Sequence, residues 1–239
     1  MKLTFISLKT VRYSDTQSIL SAYSLEHGRV SLVVPSGKGK GASRLRALTM
    51  PLSVLECETD FRPGREVLPM RQARPVEVFN GIHANPVKQM IAMFLAESLS
   101  MLLRESVPDE GVYTFIHSSV KWLDSIPAEC SANFHVCFLL NLGRLLGIEP
   151  DVSTFRHGYV MDMRDGIWRS SMPLHGEWLA SDESSAASMI LRMTYSNMSR
   201  FRFTRQQRNR TLDLVLRYYS LHLAPLSHLH SLDILRSIS

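Results

Sequence analysis

The twelve residues Pro35-Ser36-Gly37-Lys38-Gly39-Lys40-Gly41-Ala42-Ser43-Arg44-Leu45-Arg46 hold four cations, three glycines and no acid. Lysine and arginine release counterions when they meet a phosphate backbone, and glycines let backbone N–H groups come close to phosphate oxygens. The chemistry expected of Lys38, Lys40, Arg44 and Arg46 is therefore electrostatic capture of a polyanion. The ordinary alternative for such a segment is a solvated loop with no ligand. The pattern GxxxxGK[ST] is not met, and the segment is expected to be a loop that opens no helix, which argues against nucleotide hydrolysis.

More cations flank this segment: Arg12 with Tyr13, then Arg29, Arg62, Arg65, Arg71 and Arg74. Tyr13, Tyr23 and Phe61 are candidates for stacking on bases, although an isolated aromatic is more often core. A second cluster comprises Arg200, Arg202, Arg205, Arg208, Arg210 and Arg217, relieved locally only by Asp213. On a helix opening at Thr204, Arg210 and Arg217 share a face while Leu212, Val215, Leu216 and Tyr219 form the apolar stripe. That leaves these arginines for a second nucleic-acid contact or an acidic peptide; a solvated face is the plain alternative.

Enzymatic chemistry has little support. Neither GxSxG nor HExxH occurs. Cys57, Cys130 and Cys137 are odd in number, lack CxxC spacing and read as buried reduced thiols. His222, His228 and His230 have no cysteine or carboxylate at a ligand interval, so neither a metal nor another cofactor is expected.

These residues need elements to position them. Up to about residue 80, short β-type runs alternate with turn signals: Leu3 to Val11, Ser18 to Tyr23, Val30 to Val34, Leu52 to Thr59 and Glu66 to Ala73. Gly28 can supply a positive φ between the second and third, and the turn Phe61-Arg62-Pro63-Gly64 precedes the fifth. Five strands suit an OB-fold barrel, with an SH3-like barrel close behind.

From Asn85-Pro86, a cap followed by a first-turn proline, the apolar period becomes helical. Further helices are expected from about Val112 to Ile126, from Asn133 to Leu146 before Gly147, from about Ser181, and from Thr204, where Thr204 and Gln207 fit a capping box. Tyr159 to Trp168, around Asp165-Gly166, reads as an inserted hairpin. The fold expected is α+β: an OB-fold domain over 1–80, then a mainly helical domain over 81–239 with a hairpin near 159–168.

The chain has 239 residues, a formal net charge of +5 and a sequence pI near 9.3, with ordinary hydrophobic content. That composition suits a folded protein with a basic surface. The start, MKLTFISLKTVRYSDTQS, has too short an apolar run for a secretory leader, and no window is long and apolar enough for a membrane span. A cytoplasmic location is expected.

Taken together, the segments resemble the RecO family of recombination mediators over most of the chain. Leu8 to Thr16 is similar to that family's opening, Leu25 to Ser31 to its second hairpin, followed by the basic loop at Lys38 to Arg46 and then Leu48 to Glu58. Leu145-Leu146-Gly147-Ile148-Glu149-Pro150-Asp151 resembles its LLGxxPD segment, and Arg208 to Leu223 with Pro225-Leu226 its final helix. Many members carry four zinc-ligating cysteines after the PD segment, whereas Val152 to Leu179 holds none.

The resemblance implies a non-enzymatic protein that binds single- and double-stranded DNA and anneals complementary strands. It further implies contact with the acidic C-terminal tail of single-stranded DNA-binding protein (SSB), pairing with RecR, and help in loading RecA at the nucleoid. It puts Lys38, Lys40, Arg44 and Arg46 on DNA; Arg12, Arg29 and Arg71 are assigned as flanking DNA contacts on their charge alone. Arg205, Arg208, Arg210 and Arg217 are assigned by charge density to the acidic tail or a second DNA contact. The rival readings are an RNA- or ribosome-associated OB-fold protein and a protein-interaction adaptor.

Overall fold

A computed structural model describes residues 1–37, 39–60, 66–226 and 229–238. The chain forms two compact units, one of Met1–Ala128 with Leu229–Ile238 and one of Glu129–His228. The first is built on strands β1 (Lys2–Arg12), β2 (Gln17–Ser24), β3 (Gly28–Pro35) and β4 (Val54–Glu58). β1 pairs antiparallel with β2 and β4, and β2 with β3. Alternation sends Leu3, Phe5, Leu20, Ala22, Leu32, Val34 and Leu55 into one buried cluster. Each leucine, valine or phenylalanine side chain among them contributes about 1.5–3 kcal/mol by leaving water.

The β2–β3 turn needs its glycine. Gly28 has φ +66°, and a Cβ there would lie 2.5 Å from the Val107 carbonyl carbon. The expected fifth strand, Glu66 to Ala73, is instead two. β5 (Leu68–Pro69) pairs parallel with β3 at one edge of the sheet, and β6 (Arg71–Pro75) pairs antiparallel with β4 at the other. One short segment thus serves both edges of a six-stranded sheet and draws it into a barrel, which explains how one run of sequence yields two strands. The turn expected at Phe61 to Gly64, with Arg62 and Arg65, lies outside the described residues.

The segment between β3 and β4 also departs from expectation. It was expected as loop, yet Lys40–Leu48 is a helix, α1. Ala42, Leu45 and Leu48 recur every three residues and pack towards the barrel core, and this short apolar stripe outweighs the cost of Gly41.

Four helices complete the unit: α2 (Asn80–His83), α3 (Pro86–Leu102), α4 (Glu110–Ser125) and α8 (His230–Ile238). The Asn85 side chain caps α3 by accepting from the Lys88 amide at 3.1 Å, and Asp109 caps α4 by accepting from the Val112 amide at 3.0 Å. The buried Lys88 ammonium donates to the carbonyls of Asp124 (2.8 Å) and Ile126 (2.6 Å), satisfying the end of α4. Within this unit α3 packs on β1.

α8 has no counterpart among the expected elements. It rests on α3 through Glu97, 8% exposed, which accepts from the Ser231 amide (2.9 Å), the Ser231 hydroxyl (2.6 Å) and Lys9 Nζ (3.0 Å). Burial alone would raise the Glu97 carboxyl; the Ser231 and Lys9 contacts outweigh it and hold the group below the usual range.

The second unit contains α5 (Phe134–Leu145), a sheet of β7 (Val160–Asp162), β8 (Ile167–Arg169) and β9 (Trp178–Leu179), then α6 (Ser181–Ile190) and α7 (Arg205–His222). The β7–β8 hairpin falls where expected; β9 adds a strand that sequence did not suggest. The Thr204–Gln207 capping box is formed in both directions.

The buried Asp162 carboxylate organises the small sheet. It accepts from the amides of Arg164 (3.0 Å) and Asp165 (3.1 Å) and from Arg169 Nε (3.1 Å), with His175 Nε2 at 3.3 Å. Tyr219 donates to the Leu139 carbonyl at 2.8 Å, fixing α7 to α5.

Candidate nucleic-acid interface

α1 gathers the expected phosphate contacts. With its apolar face turned to the barrel, Lys40, Arg44 and Arg46 are exposed, and no acid lies in its first turn. Gly39 precedes the helix without a side-chain cap, so the first-turn amides remain donors, and the macrodipole adds partial positive charge at that end. A Cβ at Gly37, Gly39 or Gly41 would meet nothing within 4 Å, so the approach is open. Cations, unfilled amides and open space together suit a phosphate oxygen. Arg46 is partly engaged, its Nη1 donating to the Gly37 carbonyl at 3.0 Å. Lys38 lies outside the described residues.

The flanking cations are dispersed. Arg12 is exposed at the end of β1 and paired with Asp15 at 2.7 Å. Arg71 is exposed on β6, in register with Glu58. Arg74 is paired with Glu56, whose carboxyl it holds below the usual range. Arg29 is half-buried, and its Nη1 has no hydrogen-bond partner among the described residues.

Of the candidate stacking residues, Tyr13 is 72% exposed, whereas Tyr23 is fully buried and bonded to the 107–109 backbone. Phe61 lies outside the described residues.

In the second unit, the expectation that the α7 arginines stand available is corrected for three of them. Arg208 is half-buried: its Nε donates to Asn133 Oδ1 at 3.0 Å and its Nη2 to the Phe203 carbonyl at 3.2 Å. Arg210 is paired with Glu183, Nε to Oε1 at 3.2 Å, and Arg217 with Glu177, Nε to Oε2 at 2.7 Å. Arg205 is exposed at the first position of α7. Leu212, Leu216 and Tyr219 are buried as the apolar stripe predicts, but the acids that pair with Arg210 and Arg217 come from distant segments.

This unit also holds an apolar cavity of about 440 Å³ that no short motif announces. Leu140, Met161, Ile190, Leu214 and Tyr218 are among its lining residues, with Arg210 and Glu183 also on its wall. Its apolar residues are scattered over α5, the small sheet, α6 and α7, so only the fold assembles it.

Cys57 and Cys137 are buried free thiols and Cys130 is half-buried. Burial pushes the Cys57 thiol up to about 11 and that of Cys137 up to about 12, so neither supplies a thiolate near neutral pH. Among the described residues no cluster of His, Cys, Asp or Glu is placed to hold a metal ion, and no helix is long and apolar enough to cross a membrane. His222 lies against the Met163 carbonyl at 2.8 Å, and His228 is outside the described residues.

An OB-type barrel with a basic helix, followed by a helical unit with a small inserted sheet, defines an α+β protein of the OB-fold class. The chain belongs to the recombination protein O family: residues 1–79 match the family profile described as "Recombination protein O N terminal" and residues 83–233 that described as "Recombination protein O C terminal". It is 35% identical over 237 residues to DNA repair protein RecO of Phocaeicola vulgatus, covering 99% of this chain and 98% of that one. It is 33% identical to the Bacteroides fragilis protein of the same name, covering 99% and 98% of the two chains. The Porphyromonas gingivalis protein of that name is 34% identical, with 98% and 96% covered.

Proposed function

We propose that this protein is a DNA repair and recombination mediator. It binds single- and double-stranded DNA, anneals complementary strands and helps load a recombinase onto SSB-coated single strands. The observation that carries the reading is α1, which presents Lys40, Arg44 and Arg46 on the exposed side of an OB-type barrel, with no acid in the helix's first turn, in a member of the recombination protein O family. Annealing requires no covalent step. A surface that neutralises two phosphate backbones lowers their repulsion and concentrates the strands, and base pairing supplies the specificity. The protein then acts in the cytoplasm, at the nucleoid, without catalysing a reaction.

The apolar cavity beside Arg210 favours the acidic SSB tail as the partner of the second unit, with Arg205 on the same helix. An acidic peptide entering there competes with Glu183 for Arg210. RecR, and RecA through it, complete the partners in this reading.

The test is anisotropy of labelled single-stranded DNA across a salt series, comparing the native chain with one carrying Lys38→Ala, Lys40→Ala, Arg44→Ala and Arg46→Ala. Weaker binding with a shallower salt dependence in the variant is expected. Identical behaviour of the two chains would remove α1 and its leading loop from the interface, and failure of the native chain to bind would remove DNA as its direct partner.

A further inference from the structure

The loop after α3 is fastened to the start of β3 by a set of short contacts. The Arg29 amide donates to the Ser106 carbonyl at 3.1 Å, Tyr23 Oη donates to the Val107 carbonyl at 3.1 Å, and the Asp109 amide donates to Tyr23 Oη at 3.1 Å. Gly28 packs so closely on Val107 and Pro108 that a Cβ would not fit. This fastening brings Arg104, exposed just beyond α3, into the field of the half-buried Arg29.

Neither arginine has a carboxylate partner among the described residues, and Nη1 of Arg29 is buried with no hydrogen-bond acceptor. Burial first, and the Arg104 charge second, pull the Arg29 guanidinium below its ordinary value. Two like charges carried on stretches of backbone that are hydrogen-bonded to each other, one of them desolvated, are unfavourable alone and are stabilised by an anion that accepts from both forks.

We infer that Arg29 and Arg104 form a second phosphate-binding centre of the barrel, taking one phosphodiester of the strand whose other phosphates lie on α1. The inference rests on the DNA reading above and extends it by a residue, Arg104, and by a geometry. Arg29 stands near the start of β3, and the chain leaves that strand towards α1 at Pro35. Six residues of strand span about 20 Å, the rise of about six stacked nucleotides at roughly 3.4 Å each. That length falls within the site sizes of about 4–16 nucleotides found for OB-folds.

The test uses the full chain, the exposed-residue variant Arg104→Gln, which leaves the half-buried Arg29 in place, and the α1 variant Lys40→Ala/Arg44→Ala. One arm follows thermal unfolding in inorganic phosphate against chloride at matched ionic strength. Phosphate is expected to raise the Tm of the native chain and the α1 variant more than that of Arg104→Gln; equal shifts in all three would overturn the site.

The other arm measures anisotropy with oligonucleotides of about 4 and about 12 nucleotides, lengths that bracket the estimated span. Arg104→Gln is expected to reduce the salt slope by about 0.7 for the longer strand and to leave the shorter one unchanged. A phosphate response without a change on the longer strand would overturn the strand as the ligand and leave free phosphate. A phosphate response in a native chain that binds no DNA would instead sink the function proposed above together with the strand assignment.

Discussion

Helices α1 and α7 are both rich in cations, yet the two surfaces are built differently. In α1 the acids are absent from the first turn and Lys40 and Arg44 extend into solvent. In α7, Glu183 and Glu177 reach Arg210 and Arg217 from 27 and 40 residues away, and Arg208 is spent on Asn133 and the Phe203 carbonyl. Cation density is therefore a poor guide to a polyanion surface unless the folded positions of the acids are known. In α7 the same residue type is mostly engaged by partners within its own unit.

The contrast is broken most directly at α1. Lys40→Ala, Arg44→Ala and Arg46→Ala together are expected to lower single-strand affinity roughly a hundredfold at about 0.1 M salt, taking about 0.7 per phosphate for three contacts. Stability should change by less than about 0.5 kcal/mol per site, as is usual for exposed positions. A large drop in Tm would show that α1 is held by its charges.

Arg208→Ala should do the reverse. Removing a half-buried guanidinium that satisfies Asn133 and a backbone carbonyl should cost about 2 kcal/mol in a denaturant titration and leave the DNA salt slope unchanged.

Glu97→Gln tests the acid side of the first unit. The Glu97 carboxyl is held below its unfolded value, so its contribution is present above the unfolded pKa of about 4.3 and is lost as pH falls through the folded value. The variant should therefore be less stable than the native chain at neutral pH and converge with it in acid. Parallel curves at all pH values would show that the charge of Glu97 does not matter.

The smallest effect is expected from Glu177→Gln with Glu183→Gln. Freeing Arg217 and Arg210 should steepen the DNA salt slope by at most about 1.4, with little change in stability, because exposed ion pairs contribute little. No change in slope would mean that α7 faces away from DNA whatever its pairing.

What is legible in the sequence is what is local. Asn85-Pro86, the Thr204 and Gln207 box, Gly28 in its turn and the Asp165-Gly166 hairpin each depend on neighbours within a few residues, and the structure forms all of them. The division of Leu68–Pro75 between two sheet edges depends on how β3 and β4 curl, which no window of sequence contains. α1 was hidden because glycines and charges outnumber its three apolar contacts. The same holds at the site: the cations of α1 can be read directly, but the partners of Arg208, Arg210 and Arg217 cannot, nor can the fastening of the loop after α3 to the start of β3.

The bond between Glu97 and Ser231 joins residues 134 positions apart within one compact unit. At synthesis rates of about 5–20 residues per second, Ser231 is made on the order of ten seconds after Glu97. Through that interval the barrel has every strand but not its last helix, and the whole Glu129–His228 unit is made in between. Completion of the first unit therefore waits on synthesis of the second, and until Ser231 is made the nascent chain carries Glu97 without two of its hydrogen bonds, with Lys9 as its charged partner among the described residues.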